Sequence, residues 1–321
     1  MSLAFLAGVL AWPAPAARAQ EDLVRLDDRR AISNAGFYIA IEKGYFREAG
    51  IRNELITFAS AAKTLPALTA GELEVSAGAP SAGLFNAIAQ GAPFRIVADK
   101  GQVRAGTGFN MLVVRKDLVE SGQVRSVRDL KGRKVALFAK GITQDYVLGK
   151  MAEEVGLTIR DFDLTYMAAP TQLTAFETRA IDAAVTVEPW AANFLERGLA
   201  VRFRTPDQVR GLTPYQTAVI IYSGKFIKDR RAAAQRWMDA YLRGCQEYVE
   251  KGPNDPHVLA VLEKFTGVPA KAIKASIPYH QDPKGKLALD SLADQIAWFV
   301  ANGFMQEKIP VEKTVDLSFL R

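Results

Sequence analysis

Twice the chain runs through the same order of residue types. "GELEVSAGAPSAGLFNAIAQG" occupies Gly71–Gly91 and "RAIDAAVTVEPWAANFLERG" occupies Arg179–Gly198. Each has an apolar–acidic dipeptide near its start, Leu73-Glu74 and Ile181-Asp182. Each continues in small strand-forming residues, meets a Pro, and ends as an amphipathic run stopped by Gly. A strand that hands over to a helix through a tight turn is the unit of βαβ architecture. Such units restrict a chain to helices packed on largely parallel sheets.

The sequence around these stretches keeps the alternation. "LVRL", "RNELITF", Leu73–Ala77 and "PFRIVAD" read as strands. Between them, "GFYIAIEKGYFREAG" reads as helix broken at Gly44, and "SAAKTLPALTAG" and Ser81–Gln90 as two more helices. A looser, Gly-containing segment, Lys100–Gly108, follows. The pattern then restarts with strands at "FNMLVVRKD", "GRKVALF", "DFDLTYM", Ile181–Thr186 and "LAVRFR". Helices are expected at "TQDYVLGKMAEEVG", "TQLTAFETR" and Pro189–Arg197. After a last strand, "TAVIIYS", only helical patterns remain, from Lys228 to "LALDSLADQIAWFVANG". The expectation is two α/β halves and a helical tail. A length of 321 residues is enough for about two domains.

The N-terminus departs from this pattern. "MSLAFLAGVLAWPAPAARAQ" is apolar to about Trp12, too short to span a bilayer. Ala17-Arg18-Ala19 has the small-x-small form of a signal cleavage site, predicting Gln20 as the first mature residue. The alternative is an unstructured tail. No Lys or Arg stands at its start, which leaves the true first codon open. The single cysteine, Cys245, forbids an intrachain disulfide, and no cysteine follows the signal to carry a lipid. Export without disulfides or lipid predicts a periplasmic protein free in solution. The net charge of +6 is spread along the chain, with no dense Lys/Arg stripe, so nucleic acid is excluded as a partner.

In open α/β sheets ligands bind beyond the carboxyl ends of strands, where helix N-termini point. If the two halves face each other, the helix starts in the two matched stretches oppose across one cleft, and their free N–H groups favour an anion. The competing explanation is that strand–helix turns favour small residues anyway. The pattern alone leaves both open.

The succession "GFYIAIEKGYFREAGI", "GELEVSAGAPSAGLFNAIAQGAPFRIVA", "DLKGRKVALFAKGITQDYVLGKMAEEVGL" and "AIDAAVTVEPW" resembles the periplasmic substrate-binding proteins of ABC importers. The similarity is to the branch that binds sulfonates, taurine, nitrate and thiamine-pyrimidine precursors. It runs from Leu23 to Leu320, through "VDLSFL". It implies a type II periplasmic-binding fold, two α/β lobes joined by two crossing strands. Lobe 1 would be residues 20–108 plus 217–321 and lobe 2 residues 109–216. "FNMLVV" and "TAVIIY" would make the crossings and the C-terminal helices would return to lobe 1. Two departures stand out. "LVRLDDRR" is unusually charged for a first strand and turn, and Ile142 in "KGITQDY" replaces a common small hydroxyl residue.

On this fold the ligand-binding candidates are residues at strand-to-helix turns. They are Asn34 and Phe37, then Ser60 and Ser81, then Thr143 and Gln144, and last Glu188, Trp190 and Tyr215. For the hydroxyl and amide residues the competing role is helix capping, and for Trp190 it is core packing. Micromolar binding needs about 8 kcal/mol. A helix end supplies about 2 kcal/mol at most. Stacking by Phe37, Trp190 or Tyr215 is therefore needed as well. Opposed helix starts favour an anion, whereas Glu188 favours an N–H donor; an aromatic acid or a pyrimidine satisfies both.

No catalytic residue, metal or cofactor is expected. His257 and His280 lie in the helical tail, away from the strand ends, and no Cys/His cluster suits zinc. Gly106-Thr107-Gly108 precedes a strand, not a helix, so it is no dinucleotide fingerprint. The resemblance implies a monomer that captures a small organic solute by hinge closure and delivers it to an ABC permease and its ATPase. Two alternatives share the fold: a ligand-sensing partner of a membrane receptor, and a thiamine-pyrimidine-synthase-like enzyme, which would need a His and a Lys in the cleft.

Overall fold

The computed structural model describes residues 21–57 and 61–321. The predicted signal, Met1–Ala19, and the candidate Ser60 lie outside the described residues. Among the described residues there are ten strands: β1 (Asp22–Asp27), β2 (Ile51–Ile56), β3 (Val75–Gly78), β4 (Arg95–Val103), β5 (Met111–Arg115), β6 (Lys134–Leu137), β7 (Asp163–Tyr166), β8 (Ala183–Thr186), β9 (Ala200–Arg204) and β10 (Tyr215–Tyr222). The helices are α1 (Ala35–Glu42), α2 (Tyr45–Glu48), α3 (Ala61–Ala70), α4 (Ala82–Ala89), α5 (Lys116–Glu120), α6 (Thr143–Glu153), α7 (Ala169–Glu177), α8 (Trp190–Glu196), α9 (Gly224–Asp229), α10 (Arg231–Lys251), α11 (Pro256–Thr266), α12 (Ala270–Ala275) and α13 (Leu289–Ala301).

The strands form two sheets of five, ordered β2-β1-β3-β10-β4 and β7-β6-β8-β5-β9. The two orders have the same plan. Three parallel strands are followed by one antiparallel strand, β10 or β5, and then a last strand. The repeated stretch occupies the same place in each sheet: β3–α4 and β8–α8 are the strand–helix units beside the antiparallel insert. This is the two-lobe periplasmic-binding-protein fold.

The antiparallel inserts carry the apolar runs that composition singles out. Every residue of β10, "YQTAVIIY", is buried, as a strand covered on both faces requires. β5, "MLVVR", is buried but for its last residue. These strands were expected to cross between lobes. Each instead lies within one sheet, immediately after a crossing. The crossings are the segments 104–110 and 205–214. Lys100–Val103, expected as loose chain, continues β4 because β10 pairs with it out to Val103. The short helix α5 has no counterpart in the sequence reading; five residues are too few to show a period.

The tail touches both lobes. α10 packs on α1 so closely that a Cβ on Gly244 would stand 2.0 Å from the Gly36 carbonyl oxygen. α13 packs against α4 and β10 and also on α6 of the second sheet's lobe. Tyr146, Trp298 and Phe299 join residues of both lobes, among them Phe85, Val135 and Met151, in one hydrophobic core. α12 reaches α8.

Candidate functional site

β1 ends in the charged turn "DDRR". Asp27 and Asp28 are buried, and Asp28 organises the turn that leads into α1. Its Oδ1 accepts from Tyr38 Oη (2.6 Å), Asn34 Nδ2 (3.0 Å) and the Arg30 amide (2.9 Å). Lys100, from β4, donates through Nζ to Asn34 Oδ1 (2.9 Å) and Ser33 Oγ (3.2 Å). Burial, and next the Arg29 charge, lower the Lys100 ammonium to about 8, against the pull of the neighbouring aspartates. Asn34 therefore has both ends of its amide engaged inside the lobe. Phe37 is fully buried, edge-on to Tyr38 at 4.5 Å between ring centroids.

The starts of α4 and α6 meet across the lobes. Ser81 and Ile142 form an antiparallel bridge, and the Ala82 amide donates to the Gly141 carbonyl at 2.9 Å. Ser81 Oγ caps α4 by accepting from the Leu84 amide at 3.1 Å. Ile142 has no oxygen to cap α6, and Asp145 replaces it. One Asp145 oxygen accepts from the Gly141 and Ile142 amides (3.0 and 3.2 Å), the other from Tyr166 Oη (3.0 Å). Burial raises the Asp145 carboxyl to about 6 in spite of these donors. The next residue, Thr143, joins a knot where the chain crosses between the lobes. Asn110, from the first crossing, donates to Thr143 Oγ1 (3.0 Å) and Thr217 Oγ1 (3.2 Å), and Tyr215 Oη donates to the Thr143 carbonyl (3.3 Å). Gln144 Oε1 accepts from the Phe138 amide at 2.6 Å. Its Nε2 is buried with no partner among the described residues.

Glu188 is turned inward. It accepts from Arg202 Nη2 (2.8 Å), the Ala192 amide of α8 (2.9 Å) and the Ile277 amide (3.3 Å). The last bond crosses from the second sheet's lobe to the tail, whose Ile277 side chain packs on the second lobe's core. Sequence reasoning set Ser81 opposite Glu188. Ser81 meets Ile142 and Glu188 meets Ile277, so the two share no partner.

Beside Glu188 lies a cavity of about 790 Å³ between the lobes. Arg29 and Arg30 line it from the turn after β1. Pro189 and Trp190 line it from the start of α8, and Val268 and Lys271 from the tail. Its size falls in the range of small-molecule sites, about 300–1,000 Å³. Among the described residues, Trp190 is the one sequence candidate on its wall. Arg29 and Arg30 were missed as site residues, although the charge of "LDDRR" was the visible signal. His280 was expected away from the strand ends, yet its backbone pairs with Gln102 near the end of β4. Burial, then Arg104, lowers its imidazole. Neither histidine lines the cavity.

A family model described as NMT1/THI5 like matches residues 32–254. The chain belongs to this family. Solved structures repeat its fold at low identity. The alkanesulfonate-binding protein SsuA from Xanthomonas axonopodis pv. citri, bound to MOPS, is 19% identical over 94% of this chain and 100% of its own, with a TM-score of 0.73. The periplasmic nitrate-binding protein NrtA from Synechocystis PCC 6803 is 14% identical over 91% and 84%, with a TM-score of 0.71. The desulfurization enzyme DSZB is 15% identical over 93% and 97%, with a TM-score of 0.67. Among curated protein sequences none matches the chain. The family and fold are thus those expected from the sequence; the likenesses also include an enzyme.

Proposed function

We propose that this protein is the exported solute-binding component of an ABC importer. It captures a small organic solute of sulfonate, carboxylate or aromatic/pyrimidine type by closing two lobes, and passes it as a monomer to a membrane permease with its ATPase. The observation that carries this reading is the cavity whose walls come from both lobes. A ligand touching both walls favours the closed arrangement, and one touching a single wall does not. Asn34, Thr143, Gln144, Tyr215 and Ser81 then act mainly by holding the turns and the hinge, with Trp190 on the solute.

The test is a calorimetric screen of small organic acids, sulfonates and pyrimidines against the mature protein. The expected result is one solute bound per chain, with a Kd near the micromolar range, and return of the solute unchanged. A solute that is consumed would favour an enzyme on this fold. A screen with no binder would remove the reading.

A further inference from the structure

We infer that Arg29 and Arg30 form the specificity-determining clamp of this cavity, and that the solute they select is an organic monoanion with a flat apolar body. This deepens the solute-binding reading and rests on it.

Several amides at the helix starts, the obvious places for an anion, already have acceptors. The Ala82 amide of α4 bonds Gly141, and the Leu84 amide bonds Ser81 Oγ. The amides leading into α6 bond Asp145, and the Ala192 amide of α8 bonds Glu188. The cavity's own charge lies elsewhere, on Arg29, Arg30 and Lys271, set against the carboxylate of Glu196.

The arginine turn is built to hold its shape. Arg29 Nε lies 3.4 Å from Asp27 Oδ2, and its Nη2 donates to Thr64 Oγ1 at 3.2 Å. That fixes the guanidinium plane while 45% of the side chain stays exposed. Arg30 has a left-handed backbone, φ 50°, uncommon outside glycine. Its amide is held by Asp28, which Tyr38 and Asn34 lock in turn. The Arg30 side chain has no ion pair among the described residues, whereas Arg29 is half-compensated by Asp27. A single negative head is what this pair can match, and a guanidinium fork suits the two oxygens of a carboxylate or sulfonate. Across the cavity, from the other lobe, stand Pro189 and Trp190, whose indole is half-buried, and Val268 and Pro269 of the tail add apolar surface on the arginine side. The indole offers a planar body a stacking face, and the Glu196 carboxylate of the same helix α8 opposes a second negative charge there.

The test is titration calorimetry on the mature protein with benzenesulfonate, benzoate and the neutral isostere benzamide. It is run on wild type, R29Q, R30Q, R30K and W190A, each first checked for folding by thermal melting. Losing a charge-assisted contact should weaken the anions about ten-fold or more, with R30K falling between wild type and R30Q. Benzamide should bind at least about ten-fold more weakly than benzoate, and R29Q or R30Q should leave it within about three-fold. W190A should weaken all three probes. The inference is overturned if the anions bind as well to R29Q and R30Q as to wild type, or if the solutes that bind are neutral or cationic. In both cases the solute-binding reading stands. Absence of binding by every solute in the wider screen would count against that reading instead.

Discussion

Glu188, a ligand candidate in the sequence, has its carboxylate engaged inside the protein. Its side chain is 1% exposed and holds three donors at once. Glu188→Ala leaves Arg202, the Ala192 amide and the Ile277 amide without their acceptor. It should lower stability by about 1–3 kcal/mol, read from urea denaturation. Unchanged stability with lost solute binding would place the carboxylate on the solute. Asp145 allows a pH test with a definite sign. Its carboxyl is raised to about 6 from the ordinary 3.8, so the folded state holds a proton that the unfolded chain has released. Its contribution to stability is therefore fully present below pH 4 and falls as pH rises to 6, by about 3 kcal/mol at 1.36 per unit. Asp145→Asn removes this titration and keeps an acceptor. The wild-type minus variant stability difference should drop between pH 4 and 7 and then level off. A flat difference would mean an unperturbed carboxyl. Residue types at helix starts were legible in the sequence; what their oxygens face was not. Asn34 and Glu188 choose partners, Lys100 and Arg202, that stand 66 and 14 residues away in the chain.

At the scale of elements, most strands and helices were legible because their apolar periods are local. Gly71 and Gly198, with φ of 70° and 66°, end the helices that lead into β3 and β9, where sequence placed the stops. Sheet order was not legible. Where β5 and β10 insert depends on contacts between distant segments, and an all-apolar strand gives no sign of its direction. The seam between α6 and α13 was equally hidden, since the tail read as belonging to lobe 1. At that seam a Cβ on Gly149 would stand 2.1 Å from Trp298. The Trp298 indole donates to Glu153 at 2.8 Å and lies edge-on to Tyr146. Gly149→Ala should cost about 1–3 kcal/mol by overpacking. Trp298→Ala should cost about 3–5 kcal/mol. Denaturant midpoints with unchanged m-values check both. A neutral Gly149→Ala would mean that the two helices separate freely.

At the scale of the molecule, the lobes are tied unequally. On one face α6, α13 and α4 share a single hydrophobic core. On the other, the cavity separates the arginine turn from α8, with α12 and Ile277 at its edge. Motion should therefore pivot on the α6–α13 seam and open the cavity side. Export is a second whole-molecule expectation: N-terminal sequencing of periplasmic protein should begin at Gln20, and a retained Met1 would contradict it. Closure is tested most directly by electron–electron distance measurement between spin labels on Lys274→Cys, in α12, and Arg197→Cys, just after α8. Both positions are exposed, and Cys245, buried, stays unlabelled. Saturation with a solute from the calorimetric screen should shorten and narrow the distance distribution across the cavity. A bound solute that leaves the distribution unchanged would contradict capture by closure.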